Sequence, residues 1–320
     1  MRPSRGTGAS VGRTSGVPWA QASWGVTEGC TPISEGCTNC YGLAMLRRFN
    51  ARALEPTAPR CHPERLEEPT HWRKPRTVFV SPLGDLFHVA IDADYIARVW
   101  AVMARCSEPW RVRYLQTKAN VYGPHKFMIL TKRPDRMWSI LSDQRFKDEV
   151  ARLLGRDIPV WPLPNVMLGV TAETQEWAGD RISTLVTTPA AFRFVSCEPL
   201  LGPVNLRPFL VDLDWVIVGG ERGPKARPMH PAWWTRIRDD CAAAGVPFYF
   251  KSHGEWVRNV YAEPGGAELL KVTLKKGREV ILDADGRGTF PVNMERIGHK
   301  AADLLLDGDS LREMPTWEAR

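Results

Sequence analysis

Seven short, almost unbroken apolar runs recur along this chain, and they constrain its fold more than any other feature. They cover residues 22–26, 77–81, 127–131, 165–170, 192–196, 213–218 and 247–250. Between most of them lie polar turns and stretches with apolar residues at helical spacing. Residues 39–51 place Leu43, Leu46 and Phe49 on one face, and 94–106 place Ile96, Val99, Trp100 and Met103. Further helices are predicted over 134–142, 173–185 and 232–244, the last ended by Gly245. A strand covered on both faces reads as a continuous apolar run, and its alternation with helices is the βα repeat of a parallel sheet. Such units between residues 22 and 250 predict an α/β chain, a partial or complete (β/α) barrel. An open doubly wound sheet is the competitor. No G-x-G-x-x-G turn follows the first run, which weakens its dinucleotide-binding version.

The flanks differ in character. Residues 1–18 are rich in Gly, Ser and Arg and read as a flexible basic tail. Residues 19–256 hold the barrel, and 257–320 a C-terminal appendage with short antiparallel strands near 272–274 and 280–282 and a helix over 301–306. Two stretches interrupt the repeat, 52–76 and an aromatic, basic insertion over 107–125. No apolar stretch reaches the roughly 18 residues of a membrane span, and no apolar leader opens the chain, so a cytoplasmic protein is expected. The net charge of +7 permits a nucleic-acid partner without demonstrating one.

Seven cysteines, an odd number in 320 residues, argue against a disulfide scaffold. Three fall together in GCTPISEGCTNCY at 29–41, as Cys30, Cys37 and Cys40. Three thiolates can hold three irons of a cubane and leave the fourth open to a ligand. A zinc site completed by Cys61 or His62 is the alternative, and spacing alone leaves both open. Position favours the cluster. Three cysteines after the first strand of a βα barrel resemble the radical S-adenosylmethionine arrangement, although its usual first gap is C-x3-C and here it is C-x6-C.

A longer series of strings resembles the phage-associated three-cysteine family, which neighbours a three-Cys-motif partner protein. Besides the cysteine loop these are HPERL at 62–66, WRKP at 72–75, GDLFH at 84–88, ILTKRP at 129–134, LGV at 168–170 and FVSCEPLLG at 194–202. WVIVGGE at 215–221, ARPMH at 226–230, PFYFK at 247–251, GEW at 254–256 and RIGHK at 296–300 complete it. Two departures stand out. Trp24-Gly25-Val26 replaces a usual Trp-Asn-Pro, and Ser252-His253 a usual Gln-Trp. The resemblance implies a radical-SAM-like enzyme with a [4Fe–4S] cluster and S-adenosyl-L-methionine as cofactors, an electron donor and possible contact with the three-Cys-motif partner.

Residues at the strand ends then acquire expected roles. Asp85 would meet the cofactor's ammonium group, or else cap a turn. Lys132 or Arg133 would hold a carboxylate or phosphate. Thr171 and Glu173 would meet ribose hydroxyls, with an N-cap pair as the alternative. Gly219, Gly220 and Glu221 would approach adenine. His88, Cys197 and Glu198 are the catalytic candidates, Cys197 as a hydrogen-atom donor or as buried core. Arg222, Lys251 and His253 would bind substrate. The function expected is generation of a 5′-deoxyadenosyl radical that modifies or repairs nucleic acid. The competing reading is a noncatalytic, zinc-stabilised nucleic-acid-binding module.

Overall fold

The computed structural model describes residues 17–107, 125–158, 160–258, 281–282, 292–296 and 311–316. The apolar runs form β1 (Ala22–Trp24), β4 (Thr77–Val80), β5 (Lys126–Thr131), β6 (Val166–Thr171), β7 (Phe192–Cys197), β8 (Trp215–Gly219) and β9 (Phe248–Ser252). They lie in that order in one seven-stranded sheet, every pairing parallel. The sheet curls into a half-barrel. A two-stranded antiparallel pair, β2 (Thr27–Glu28) with β3 (Arg60–Cys61), branches off after β1. The helices are α1 (Tyr41–Phe49), α2 (Ala93–Arg105), α3 (Pro134–Ser142), α4 (Gln144–Leu154), α5 (Gln175–Thr187) and α6 (Pro231–Ala244).

Period-two alternation splits the strands between two apolar cores. One face carries Ala22, Trp24, Val78, Val80, Phe127, Ile129, Val195, Val216 and Phe250 against the helices, in a core that includes Ile96, Trp100, Ile182 and Ile237. The other face carries Met128, Met167, Phe192, Phe194, Trp215, Ile217 and Tyr249, closed by Trp19 and Ala20 from the segment before β1. Trp19 meets Tyr249 edge-on, with ring centroids 5.4 Å apart. The outer edge of β9 is covered by the C-terminal segment. Arg312 bridges Tyr249 in antiparallel sense, and Glu313 N–H donates to the Phe248 carbonyl at 3.0 Å. An edge so covered offers no unpaired ladder to another chain.

Most helices start and stop where their residues predict. Pro134 and Pro231 sit at first helical positions, and Gly245 ends α6 in the left-handed region at φ 68°. Two readings need correction. Residues 39–51 give a shorter helix, Tyr41–Phe49, whose Phe49 is exposed rather than on the buried face with Leu43 and Leu46. α4 goes unpredicted, although Phe146, Val150, Leu153 and Leu154 recur at helical spacing within its highly charged segment and pack on the core. The 52–76 stretch that interrupts the repeat holds β3 and two 3-10 turns at Pro63–Arg65 and Glu68–His71. In the appendage, β10 (Trp256–Arg258), β12 (Val292–Arg296) and β11 (Ile281–Leu282) form an antiparallel sheet in that order. The expected tail over 1–16, most of the 107–125 insertion, the 272–274 strand and the 301–306 helix lie outside the described residues. No helix among the described residues is long and apolar enough to cross a membrane.

Candidate functional site

Functional side chains of a βα barrel gather where the strands end, and the cysteine loop is held there. Gly29 bridges in parallel to Gly84, so the loops after β1 and β4 start side by side. Cys37 closes a 3-10 turn, Glu35–Cys37, and Cys40 stands at the N-cap of α1. Cys30, Cys37 and Cys40 are free and half-buried.

Three carboxylate–cation pairs from the strand ends clamp this loop. The first is Asp85 with Arg133. Asp85 Oδ2 accepts from Arg133 Nη1 at 2.7 Å, and Oδ1 accepts from the Thr131 hydroxyl at 2.7 Å and the Phe87 N–H at 3.0 Å. Arg133 then donates to the Thr31 carbonyl at 3.0 Å and lies 3.4 Å from Cys30 Sγ. The second pair is built on Glu173. Its Oε1 accepts from the Ser34 hydroxyl at 2.7 Å and from Lys132 Nζ, and its Oε2 accepts from Arg181 at 2.7 Å. Glu173 and Arg181 are almost wholly buried, at 0% and 1% exposure. Gly36 fits here only because it has no side chain: a Cβ would come within 2.3 Å of Glu173 Oε1. The third pair is Glu221 with Arg227, joined by two contacts from the guanidinium and one from the Arg227 N–H. Asn39 donates to Glu221 at 3.0 Å, and Arg227 to the Glu35 carbonyl at 3.0 Å. Trp177 Nε1 adds a 2.8 Å bond to the Glu35 carboxylate.

The two thiols shift in opposite directions. At Cys30 burial pushes the thiol above its usual range; Arg133 opposes this, while Asp85 and nearby Cys37 add to it. At Cys37 burial also raises, but Lys132, backbone hydrogen bonds and the Ser34 hydroxyl outweigh it, and the thiol falls below its usual range. A cation beside a thiol favours the thiolate, the form that binds metals.

The structure brings most of the predicted residues to this rim, with altered partners. Asp85, Lys132, Arg133, Glu173 and Glu221 are bound to one another or to the loop. The Thr171 carbonyl accepts from Arg181 at 2.7 Å. His88 Nδ1 accepts from the Ala90 N–H, so Nε2 carries the proton and donates to Thr31 Oγ1 at 2.9 Å. The close approach allowed by Gly219 and Gly220 is taken up within the protein. A Cβ on Gly219 would meet Glu198 Oε1 at 2.6 Å, and one on Gly220 the His253 carbonyl at 2.0 Å. Glu198 pairs with Lys251 at 3.0 Å, and the Lys251 ammonium lies 4.6 Å from the centre of the Trp19 ring. Arg222 donates to the Ser252 hydroxyl at 3.4 Å.

Two candidates point elsewhere. Cys197 is fully buried in the helix-side core, and burial pushes its thiol far up. Along β7 it is out of phase with Ser196 and Glu198, so the core reading fits it and the hydrogen-donor role does not. His253 packs against Trp234 and Phe250, with ring centroids 5.9 and 4.9 Å away. Residues that sequence reasoning missed are Ser34, Asn39, Trp177, Arg181 and Arg227. Arg181 had a signal. With Ala178, Ile182 and Leu185 it forms the buried stripe of α5, and a cation in such a stripe requires a buried partner.

Among the described residues, no group of three or more His, Cys, Asp or Glu side chains is placed to hold a metal ion. Of the residues considered as further zinc ligands, Cys61 is a free thiol and His62 meets carboxylates. The His62 ring contacts Glu64 at 2.9 Å and Glu28 at 3.3 Å, and Cys61 lies in β3. A cubane is bound at separate corners, so its thiolates need not converge as the ligands of one ion do. The donor set fits a cluster in kind: three free thiols on one loop, with cations placed beside Cys30 and Cys37.

Comparison with curated proteins and with solved structures gives no match. The sequence profile of one family, described as protein of unknown function (DUF5131), matches residues 14–315, and over that span the chain belongs to this family.

Proposed function

We propose that this protein is a radical S-adenosylmethionine enzyme with a radical-SAM-like half-barrel, acting on nucleic acid. The observation that carries the reading is the clamped loop of three free cysteines at the strand-end rim of a parallel half-barrel. Cys30, Cys37 and Cys40 would supply thiolates to a [4Fe–4S] cluster. Cluster and S-adenosyl-L-methionine together would supply a carbon radical that removes a hydrogen atom from substrate.

The chain's own residues do the rest. Lys132 and Arg133 favour the ionised thiols. The Asp85, Glu173 and Glu221 clamps fix the loop before any ligand arrives, which lowers the ordering cost of binding. Glu173 and Glu221 act here as positioning residues, their oxygens already engaged by the protein. The aromatic floor of Trp19, Phe194, Trp215 and Tyr249 excludes water from the concave face below the rim.

The test is anaerobic reconstitution of wild type and Cys37→Ala with iron and sulfide, followed by reduction and S-adenosylmethionine. Wild type is expected to turn brown and release 5′-deoxyadenosine. The variant is expected to lose both while unfolding at a similar temperature. Its fold rests on a large core, in which one buried apolar side chain contributes about 1.5–3 kcal/mol. A colourless, zinc-loaded wild type, or undiminished 5′-deoxyadenosine from Cys37→Ala, overturns the reading.

A further inference from the structure

The helix that leaves the cysteine loop has an outer face not used by the site. Residues 36–54 contain three arginines and no Asp or Glu. In α1, Leu43 and Leu46 turn inward. Tyr41, next to Cys40, is 67% exposed, Phe49 is 61% exposed, and Leu54 just beyond the helix is 99% exposed. Arg47, Arg48 and Arg52 are exposed as well.

Some exposed arginines, Arg73, Arg98 and Arg236 among them, stand without an ion-pair partner among the described residues, and others are paired. Arg105, Arg145, Arg152, Arg207 and Arg238 each lie within ion-pair distance of a carboxylate. Arg47, Arg48 and Arg52 have no ion-pair partner among the described residues. Two of them complement the negative end of the α1 dipole. That role does not explain Arg52, nor the aromatic rings held out in water at both ends of the helix. At 100° per residue, Tyr41 and Arg48 fall on nearly one line of α1, about 10 Å apart along its axis.

We propose that this face of α1 is a platform for single-stranded nucleic acid. Tyr41 stacks on a base beside the cysteine loop, and Arg48 and Arg52, with Arg47 at the edge of this face, hold the neighbouring phosphates. An aromatic ring with a cationic track is the chemistry that grips unpaired strands without regard to sequence. An anionic membrane surface fits less well. A helix lying in a membrane needs a continuous apolar face turned outward, and here the apolar face of α1 is spent on the fold. The inference names a substrate class for the proposed reaction; binding itself stands apart from that reading, and only the chemistry after binding rests on it.

The test uses the full-length protein without iron or S-adenosylmethionine, so its outcome is separate from that of the chemistry. Fluorescence anisotropy of a labelled oligothymidine strand gives Kd over a series of salt concentrations. Wild type is expected to bind, more weakly as salt rises. Tyr41→Ala is expected to bind about tenfold more weakly. Its effect should shrink on the same strand annealed to a complement, where bases are already stacked. The double variant R47E/R48E should reduce the slope of log Kd against log salt by about 1.4, at about 0.7 per lost phosphate contact. R145E/R152E, at two exposed positions of α4, is the charge-matched control and should change the slope less. All these side chains are exposed, so the variants should stay folded, with R47E/R48E unfolding at a slightly lower temperature because it puts two carboxylates at the negative end of the α1 dipole. The platform is overturned if the strand does not bind, if R47E/R48E and R145E/R152E act alike, or if phosphatidylserine vesicles bind in a Tyr41-dependent way and the oligonucleotide does not.

Discussion

Cys37 and Cys30 share one loop and meet different fields. Lys132 bears on Cys37 and drives its thiol down, whereas burial prevails at Cys30 and drives it up. The thiolate is the nucleophile, so the metal-free protein should react unevenly with iodoacetamide. Cys37 is expected to label before Cys30 near neutral pH. Lys132→Met removes the lowering charge, so the pH–rate profile of Cys37 should move to higher pH and its neutral-pH rate should fall. Peptide mass spectrometry over a pH series reads both sites at once. An unmoved Cys37 profile would show that Lys132 does not act on it. The same lysine explains why Cys37 suits the thiolate although it is half-buried: desolvation alone would push its thiol up, as it does at Cys30.

Among the elements, α5 and the strand end before it are joined by the most buried charge pair at the site. Arg181 reaches back across the first turns of α5 to Glu173 and to the Thr171 carbonyl, while its guanidinium lies 4.1 Å from the centre of the Trp177 ring. Such a pair is costly to break from one side, because the remaining group is left charged and dry. Arg181→Met is expected to destabilise the protein by about 3 kcal/mol, the lower end of the usual range, since Lys132 still meets Glu173. Adding Glu173→Gln should recover part of that loss, as the stranded charge is gone. Urea unfolding of the two single variants and the double variant measures both effects. A loss below about 1 kcal/mol in Arg181→Met would place the pair among surface-like contacts.

In the molecule as a whole, the half-barrel is closed by segments from both ends of the chain. Trp19 covers the aromatic floor, and residues 311–313 cover the edge of β9, where Glu313 also accepts from Trp215 Nε1 through its carbonyl. The rim can therefore carry thiols and charged clamps while the floor supplies stability. Trp19→Ala is expected to cost about 3 kcal/mol, as for other large aromatic truncations in cores. It should leave the order of Cys30 and Cys37 labelling unchanged. Chemical unfolding and the labelling assay separate the two effects. A variant with wild-type stability would mean that Trp19 is not part of the core.

The seven strands and most helix boundaries were legible in the chain, because continuous apolar runs, Pro134, Pro231 and Gly245 act through local backbone physics. The cysteine loop was legible from its spacing, and its place at the strand ends from the βα order. Two kinds of information were not local. In a strand such as β7, apolar on both faces, composition does not say which phase faces the helices. Only the packed sheet turns Cys197 to the core and Ser196 and Glu198 to the other side. The pairing of charges was equally hidden. Asp85, Glu173 and Glu221 read as groups awaiting a ligand, because their partners Arg133, Arg181 and Arg227 are fixed by loops and a helix whose approach no single segment specifies. A buried carboxylate takes whichever cation the fold brings to it, and that choice belongs to the tertiary structure.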